Sequence, residues 1–296
     1  MNSPNRALDR AALDVANSYS GSVAWPTVVL AVLVFIAYIA TIVVTLDGSL
    51  SLWLATPIVS LLVYAIYTPM HEAVHQNVSG RNPQFAWLDW LLGFMAGFML
   101  GFPFMVHKRE HFAHHRSTND PELDPDWIYA GPPGFKTATH GLRAIKAQYS
   151  WYLGAVWPSS SLQDKLILLC EIALIVGSRV GLLAAGYVAE FILLAVLANV
   201  LGVLLTVYLF AWLPHHPHEN KERYTNTSTY HSDGVFGRMT TALWLWQNYH
   251  SIHHLFPKVP FYHYRLVFDR ISDTLRHYEA PIYDVSFRHR GQPGQS

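Results

Sequence analysis

The sequence is poor in cysteine and in charged residues. Its one cysteine, Cys170, excludes an internal disulfide framework, a cysteine-ligated zinc site and an iron–sulfur cluster held by this chain. Only 14% of the 296 residues are charged, about half the fraction usual in soluble domains, whereas 51% are hydrophobic. The formal net charge is +0, so the charge balance gives no indication of a nucleic-acid partner. This composition indicates a membrane protein.

Motifs for cofactor binding are also missing. The sequence has no glycine-rich phosphate loop and no flavin or nicotinamide fingerprint. It has no solenoid-type repeat and no low-complexity segment. Any reducing equivalents must therefore come from another protein, and the chain is expected to form one domain over residues 1–296.

Four apolar runs are long enough to cross the ~30 Å hydrocarbon core of a membrane as helices. They cover residues 25–46, 50–69, about 165–184 and 188–212. The sequence therefore predicts an all-α, multi-pass membrane helix bundle with four spanning helices. Arg179, near the far end of the third run, is expected to snorkel toward the membrane surface.

A fifth apolar segment, residues 85–106, differs from the other four. It carries Gly93, Gly97 and Gly101 at four-residue spacing, a stripe of small residues that lets helices approach closely. If this segment crossed the membrane, the bilayer would separate the histidines on its two sides. We therefore predict that the segment is re-entrant or interfacial.

The distribution of Lys and Arg predicts the orientation of the chain. These residues concentrate in the tails and in residues 107–165, whereas the turns at 47–49 and 185–190 contain none. By the positive-inside rule, both termini, including the tail 1–24, and all the histidines lie in the cytoplasm. We therefore expect an inner- or plasma-membrane protein with a cytoplasmic helical cap that holds a di-metal site.

Three clusters of histidines carry the main functional signal. Residues 107–115 and 250–254 each contain His-x-x-His-His, and residues 71–75 contain His-x-x-x-His. Positions i, i+3 and i+4 lie on one face of a helix, so each cluster is expected to direct its imidazoles to one point. Neutral imidazole is the commonest protein ligand for transition metals. The eight candidate ligands are His71, His75, His111, His114, His115, His250, His253 and His254.

Eight imidazoles exceed what one metal ion can bind, because zinc takes four ligands and iron usually six. Two metals with free positions fit the number of ligands. Ligand type alone leaves iron, zinc, copper and nickel open. A site at the mouth of an apolar bundle would meet lipid-soluble molecules. Attack on an unactivated C–H bond there requires a redox metal and O2, which zinc cannot supply.

The first cluster has a competing interpretation. His71-Glu72-Ala-Val-His75 satisfies the His-Glu-x-x-His motif of zinc peptidases, in which the Glu activates water. At the end of a membrane helix, this motif would belong to an intramembrane protease. That interpretation leaves both His-x-x-His-His clusters without a role. A Glu72 that orients an imidazole is the alternative explanation for the carboxylate.

Three histidine clusters at the ends of membrane helices resemble the membrane fatty-acid desaturase/hydroxylase superfamily, over about residues 60–268. Within it, the chain is similar to the desaturase-like beta-carotene hydroxylases. The stretch Leu-Pro-His-His-Pro-His at 213–218 looks like their Leu-Pro-His segment, and residues 247–262 resemble their third cluster with its proline-rich flank. Residues 116–126 resemble the sequence after their second cluster. Glu72 departs from the Asp that this branch more often has, but keeps the carboxylate.

This resemblance implies two non-haem irons, O2 as co-substrate and a ninth ligand from the Leu-Pro-His segment. That ligand is assigned to His215, with His218 as the alternative. The resemblance also implies hydroxylation of a lipid-soluble substrate, in this branch the beta-ionone ring of a carotenoid. The alternative reaction is desaturation of a fatty-acyl lipid. Without a cofactor motif in the chain, the electron donor would be a separate protein such as a ferredoxin.

Three further sets of residues have weaker assignments. The candidates for orienting the ligands are Asp124, Asp126 and Asn248. Turn formation and helix capping explain these residues as well. The histidines expected outside the ligand set are His107, His231 and His263. A candidate docking face for an acidic electron donor consists of Lys221, Arg223, Lys258 and Arg265. Positive-inside charge is the simpler explanation of that face.

Overall fold

The backbone described by this computed structural model covers residues 3–132, 134, 143, 146–284 and 286. Parts of three predicted regions lie outside the described residues. They are residues 1–2 of the tail, 133, 135–142 and 144–145 of the polar segment, and 285 and 287–296 near the C-terminus. The single domain over residues 1–296 stays a prediction.

Helices form nearly all the regular structure of the described residues. Seven of them are α1 (Ser3–Ser18), α2 (Trp25–Leu46), α3 (Leu52–Val74), α4 (Ala86–Leu100), α5 (Phe104–Arg116), α6 (Leu162–Ala184) and α7 (Val188–Trp212), and residues 146–151 between α5 and α6 are also helical. They are followed by α8 (Gly234–Leu243), α9 (His250–Leu255), α10 (Tyr264–Arg270) and α11 (Ser272–His277). Short helical turns lie at Pro83–Phe85, Pro125–Tyr129, Tyr152–Val156, Trp157–Ser159, Gln247–Tyr249 and Phe261–His263. A small parallel sheet pairs β1 (Thr229–Tyr230) with β2 (Ile282–Tyr283).

Four helices, α2, α3, α6 and α7, are long and apolar enough to cross a membrane. They contain 22 to 25 residues each, which at ~1.5 Å per residue exceeds the ~30 Å hydrocarbon core. Many of their apolar side chains are exposed, among them Leu33, Trp53 and Leu174, because lipid would cover this surface. The predicted all-α membrane bundle with four spanning helices is confirmed.

Helix α3 lies at the centre of the bundle, where it packs against α2, α4 and α7. It continues as a helix through Pro57 and Pro69 and ends at Val74, so its last turns carry the first histidine cluster. Gly202 allows α7 to approach α3 closely, because a Cβ there would come within 2.6 Å of the Ser60 carbonyl oxygen. The first histidine cluster is thus an extension of the most buried spanning helix.

The segment predicted to be re-entrant is bent by 101° between Pro83–Leu100 and Phe104–Arg116. We call its turn, residues 101–103, the elbow. The glycine stripe faces this returning chain, since a Cβ on Gly93 would come within 2.6 Å of the Phe104 ring and one on Gly97 within 3.0 Å of the Phe102 carbonyl oxygen. Gly101 has a φ of +78°, which favours glycine. The small residues therefore let α5 fold back against α4.

Polar side chains of the spanning helices bind the backbone groups that the elbow leaves unpaired. Arg179 donates to the Phe98 carbonyl at 2.6 Å, and Asn199 donates to the Met99 carbonyl at 2.7 Å. The Glu171 carboxylate accepts from the N–H groups of Phe104 at 2.8 Å and Met105 at 3.2 Å. The expectation that Arg179 snorkels is wrong. Its guanidinium is held at the end of α4 because apolar surroundings offer those carbonyls no water.

The elbow returns the chain to the end of the bundle from which it left. The ring centroids of His71 on α3 and His111 on α5 are 4.7 Å apart. Both ends of the bent segment therefore lie on one side of the bundle, as the re-entrant prediction requires.

Helices α1, α9, α10 and α11 form a cap at that same end of the bundle. A second apolar core holds the cap together by joining Ala12 and Ala16 of α1 to α9, α10 and α11. The Tyr224 hydroxyl also donates to Asp9 of α1 at 2.6 Å. A helical cap is therefore present, and its cytoplasmic location stays a prediction.

Labelling of introduced cysteines tests this topology. In a Cys170→Ser background, Gln84→Cys and Glu122→Cys should react with a membrane-impermeant maleimide from one side, and Ser49→Cys from the other. All three positions are exposed, and only the first two flank the bent segment at the cap end. Labelling of Glu122→Cys from the same side as Ser49→Cys would mean that the segment crosses the membrane.

Removal of the Glu171 carboxylate tests the elbow. Glu171→Ala should lower the thermal unfolding midpoint in detergent, because two buried N–H groups lose their acceptor at roughly 1–3 kcal/mol each. Leu174→Ala, on the same helix at a position 69% exposed, is the matched control and should change the midpoint little. Equal midpoints for the two variants would contradict the role of Glu171.

Candidate metal centre

The predicted ligands come from four separate elements that meet where the bundle contacts the cap. His71 and His75 end α3, and His111, His114 and His115 lie on the last turns of α5. His215 follows α7, and His250, His253 and His254 belong to α9. All of these side chains are buried except those of His115 and His254, which are partly buried.

The structure divides the histidines into two groups whose ligand nitrogens lie within 4.8 Å of one another. The first group consists of His71, His75, His111, His115 and His253. The second consists of His114, His215 and His254. Each group draws on more than one histidine cluster, so the two groups share α5 and α9.

The expectation that each His-x-x-His-His directs three imidazoles to one point is wrong. His111 and His115 join the first group while His114 joins the second. On α9, His253 and His254 separate in the same way. At ~100° per residue, positions i+3 and i+4 lie on opposite sides of position i, so adjacent histidines diverge by ~100°. One helix therefore supplies ligands to two neighbouring sites.

His250 lies at the edge of the second group. Its Nε2 is 3.2 Å from Nε2 of His254, and its ring centroid is 5.2 Å from that of His215. Gln247 lies behind it, with Oε1 3.4 Å from Nδ1. His250 can therefore join His114, His215 and His254 as a fourth donor.

His215, and not His218, belongs to the second group. The His218 ring centroid lies 6.1 Å from that of His215. The His218 ring packs at a right angle against the Trp127 ring instead. Burial lowers the pKa of the His218 imidazole to about 4. The choice of His215 agrees with this geometry.

The nitrogen–nitrogen contacts within the first group do not form an ordinary hydrogen-bond network. Nε2 of His115 lies 3.0 Å from Nε2 of His111 and 2.8 Å from Nε2 of His253. Nε2 of His111 also lies 2.9 Å from Nε2 of His75. Each imidazole nitrogen carries either one proton or one lone pair, so Nε2 of His111 and Nε2 of His115 cannot each form a well-directed hydrogen bond to two neighbours at once. Both nitrogens of buried His71 have no protein partner among the described residues. This donor set is compatible with a transition metal ion.

Carboxylates and a phenol hold the outer faces of the rings. Nδ1 of His114 lies 2.9 Å from Oδ1 of Asp124 and 3.6 Å from Oδ2 of Asp126. Nδ1 of His253 lies 3.0 Å from the Tyr264 hydroxyl. In both cases Nδ1 is engaged and Nε2 is left to face the group. Such contacts fix the tautomer and direction of a ligand imidazole.

Two residues that were expected to orient the ligands, Asn248 and Glu72, form their hydrogen bonds with other groups. Asn248 donates to the Tyr230 carbonyl at 2.8 Å and to the Thr241 hydroxyl at 3.1 Å, and neither acceptor is a candidate ligand. Glu72 accepts from the Tyr264 hydroxyl at 3.4 Å and from the Phe261 N–H at 3.3 Å. Glu72 therefore acts on His253 through Tyr264, and its carboxylate faces the cap.

Sequence reasoning missed Tyr264 and Gln247. Gln247 lies three residues before His250, a local spacing that could have pointed to it. Tyr264 lies 11 residues after His253, a separation that matches no regular helical spacing across the intervening turns, and its contact with Glu72 spans 192 residues.

Burial favours the neutral form of His215 and of the three histidines on α9. It lowers the pKa of His250 to about 3. Burial, reinforced by neighbouring histidines, holds the pKa of His215, His253 and His254 well below the ordinary value of 6.5. Neutral rings offer a lone pair to a metal, whereas protonated ones do not.

The three histidines left out of the ligand set belong to neither group. His231 contacts the Tyr249 hydroxyl at 2.9 Å, and the His263 ring lies against Tyr19 and Tyr262. His107 is buried beside a cavity. That cavity lies under the first group, between α3, the elbow and α7, and its lining is mostly apolar.

The candidate docking face is already occupied by contacts within the chain. Lys221 pairs with Asp120 at 2.7 Å, and Lys258 donates to the His75 carbonyl at 2.6 Å. Arg223 lies over the Tyr224 and Phe256 rings, and Arg265 is 4.0 Å from Asp269. These contacts weaken the argument for a docking face, which stays a hypothesis.

Together these features define an all-α membrane helix bundle with a buried, histidine-rich candidate metal centre at one end. A family model described as "Fatty acid desaturase" matches residues 47–286. The chain therefore belongs to the fatty acid desaturase family.

Two characterised relatives are similar to parts of the chain. "Zeaxanthin 4-ketolase" of Chlamydomonas reinhardtii is 26% identical over 157 residues, which are 53% of this chain and 30% of that protein. "Beta-carotene ketolase" of Paracoccus sp. (strain N81106 / MBIC 01143) is 28% identical over 206 residues, 68% of this chain and 72% of that protein. The chain thus matches less than a third of the algal protein's length.

Metal analysis of alanine variants tests the ligand assignment. His215→Ala should lose metal from the purified protein, whereas His218→Ala and the exposed His277→Ala should retain it, because only His215 lies in a group. Elemental analysis of protein from iron-supplied cells gives the metal content. Normal metal in His215→Ala with loss in His218→Ala would reverse the assignment.

Proposed function

We propose that this chain is a di-iron membrane oxygenase that uses O2 to oxidise the beta-ionone ring of a carotenoid, by hydroxylation of a ring carbon. The observation that carries this proposal is a mostly apolar cavity beside the first of two neighbouring groups of imidazoles. Imidazole groups without thiolates suit iron, and the family is one of redox enzymes acting on lipids.

The histidines would hold one iron in each group. Bound iron supplies the reduction of O2 and the oxidation of a C–H bond. The chain's own residues hold the imidazoles in place through Asp124, Tyr264 and Gln247. The bundle and the cap bury the centre and so exclude water from it.

The cavity supports a lipid-soluble substrate. Leu100 and Phe102 of the elbow and Val203, Val207 and Phe210 of α7 form its apolar wall. Tyr67 lies between cavity and centre, with its ring centroid 6.1 Å from that of His71. A hydrophobic ring in the cavity would therefore lie beside the first group.

The two relatives support a carotenoid as the substrate, since both are named for reactions on carotenoids. Their names also favour a second candidate product, a ring ketone. A ketone requires further oxidation of a carbon that already carries oxygen, so hydroxylation is the shared first step. Desaturation of an acyl lipid is the alternative that the family name keeps open.

The protease interpretation is disfavoured by the direction of Glu72. A water-activating Glu has to face the metal, whereas Glu72 binds Tyr264 and the Phe261 N–H. We also propose that electrons come from a separate donor such as a ferredoxin, and that both termini and the centre lie in the cytoplasm.

Expression in bacteria that accumulate beta-carotene tests the proposed function. We expect new hydroxylated carotenoids at unchanged fatty-acid composition, measured by liquid chromatography and mass spectrometry. A ketone conjugated with the polyene would show itself by absorption at longer wavelength. His253→Ala should form no product, because it removes a donor from the first group, whereas His277→Ala should match the unmodified chain.

The same cultures separate the alternatives. New double bonds in acyl chains with beta-carotene untouched would identify a desaturase. If neither pool changes in cells that supply iron and a ferredoxin with its reductase, the carotenoid assignment fails.

A further inference from the structure

His107 is a buried histidine that the candidate metal centre does not use. Its side chain belongs to the cavity lining, and the residue is only 6% exposed. Neither Nδ1 nor Nε2 has a hydrogen-bond partner among the described residues. A buried polar group without a partner is costly, so such a group calls for an explanation. A ligand in the cavity would supply the missing partner.

The position of His107 relates it to the centre. His107 precedes His111 by one helical turn on α5, and Tyr67 precedes His71 by one turn on α3. The ring centroids are 5.4 Å apart between His107 and Tyr67, and 5.5 Å apart between His107 and His111. These two side chains therefore form the wall between the cavity and the first group of histidines.

The polar residues of the cavity lining differ in whether their side chains are already engaged. On α7, Asn199 and Thr206 donate to backbone carbonyls at 2.7 and 3.0 Å, and the rest of the α7 lining is apolar, as at Val203 and Val207. The lining also contains the polar residues His107, Asp126 and Gln148. A hydrocarbon ring would be complementary to the apolar lining only. A ring that carries an oxygen atom would also offer a partner to His107.

We infer that His107 hydrogen-bonds an oxygen substituent on the substrate ring, so that the cavity prefers carotenoids whose ring already carries a hydroxyl group. This inference rests on the proposed function and adds a specificity-determining residue to it. Neutral imidazole has one N–H donor and one acceptor nitrogen, and a hydroxyl group can satisfy either of them. A plain hydrocarbon ring leaves both nitrogens unpaired. Sites built to hydrogen-bond a hydroxyl discriminate against ligands that lack it.

Fixing the oxygen would also fix the carbon that is oxidised. An oxygen held at His107 lies one helical turn from His111. The neighbouring carbons of the same ring then face the first group of histidines. The expected product of the preferred substrate therefore carries its new oxygen on the ring that already bears one.

The test uses the full-length protein in detergent with two pigments, beta-carotene and its ring-hydroxylated counterpart zeaxanthin. Metal-depleted protein is incubated with an equimolar mixture, repurified and extracted, and the retained ratio is measured. The same mixture is then offered to iron-loaded protein with an electron donor. The unmodified chain should favour zeaxanthin by about tenfold in both measurements, the order expected for one buried hydrogen bond.

Three variants locate the effect. His107→Leu should abolish the preference while retaining the iron of the unmodified protein, and His107→Gln, which keeps an N–H donor, should preserve part of it. Phe102→Leu changes an apolar side chain that lines the same cavity, with its ring 5.6 Å from that of His107. It should weaken retention of both pigments alike and leave their ratio unchanged.

The outcomes separate this inference from the proposed function. Equal retention and conversion of both pigments by the unmodified chain would overturn the role of His107 and leave the carotenoid oxygenase standing. Loss of iron in His107→Leu would assign His107 to the metal centre, and this result would also overturn the inferred substrate contact. If neither pigment is converted or retained, the proposed function itself fails.

Discussion

Imidazole nitrogens that lie within 4.8 Å of one another in a buried site require either a shared cation or outward hydrogen bonds. Here the outward hydrogen bonds are visible in the structure. Asp124 and Tyr264 engage the outer nitrogens of His114 and His253, so that Nε2 of each faces inward. Because these contacts come from a loop and from the cap, the centre exists only when the cap lies on the bundle. The cap is therefore part of the site and not an addition to it.

The need to bring the histidines together also explains the bend between α4 and α5. Histidines on α3 and α5 can meet only if the chain between them turns back inside the apolar layer. A turn there exposes backbone groups that lipid cannot pair. Arg179 and Glu171 on α6 bind the two ends of the break, with a positive side chain at carbonyls and a negative one at N–H groups, as the helix dipoles favour. Two charged residues in a spanning helix thus stabilise the geometry of a centre they do not touch.

The sequence was sufficient for the four spans, because long apolar runs are a local signal. Histidine spacing, also a local signal, marked seven of the eight histidines that the two groups contain, and His215 followed from the family resemblance. Their role as metal ligands stays a prediction. The partition of each His-x-x-His-His between two groups could also have been derived, since adjacent positions on a helix differ by ~100°. The partners of Arg179 and Glu72 could not be derived from the sequence. Their contacts with Phe98 and Tyr264 span 81 and 192 residues, and no pattern in the chain marks such distant pairs.

The identity of the product is a separate matter from the identity of the ligands. The same imidazoles suit hydroxylation, ketone formation and desaturation, because each begins with oxidation of a C–H bond. What distinguishes them is which carbon the protein holds next to the centre and whether the first product stays there. That choice falls to side chains such as His107 and Tyr67, which separate the cavity from the histidines. In related chains, the residues that separate the cavity from the histidines should therefore indicate the reaction better than the histidine clusters themselves.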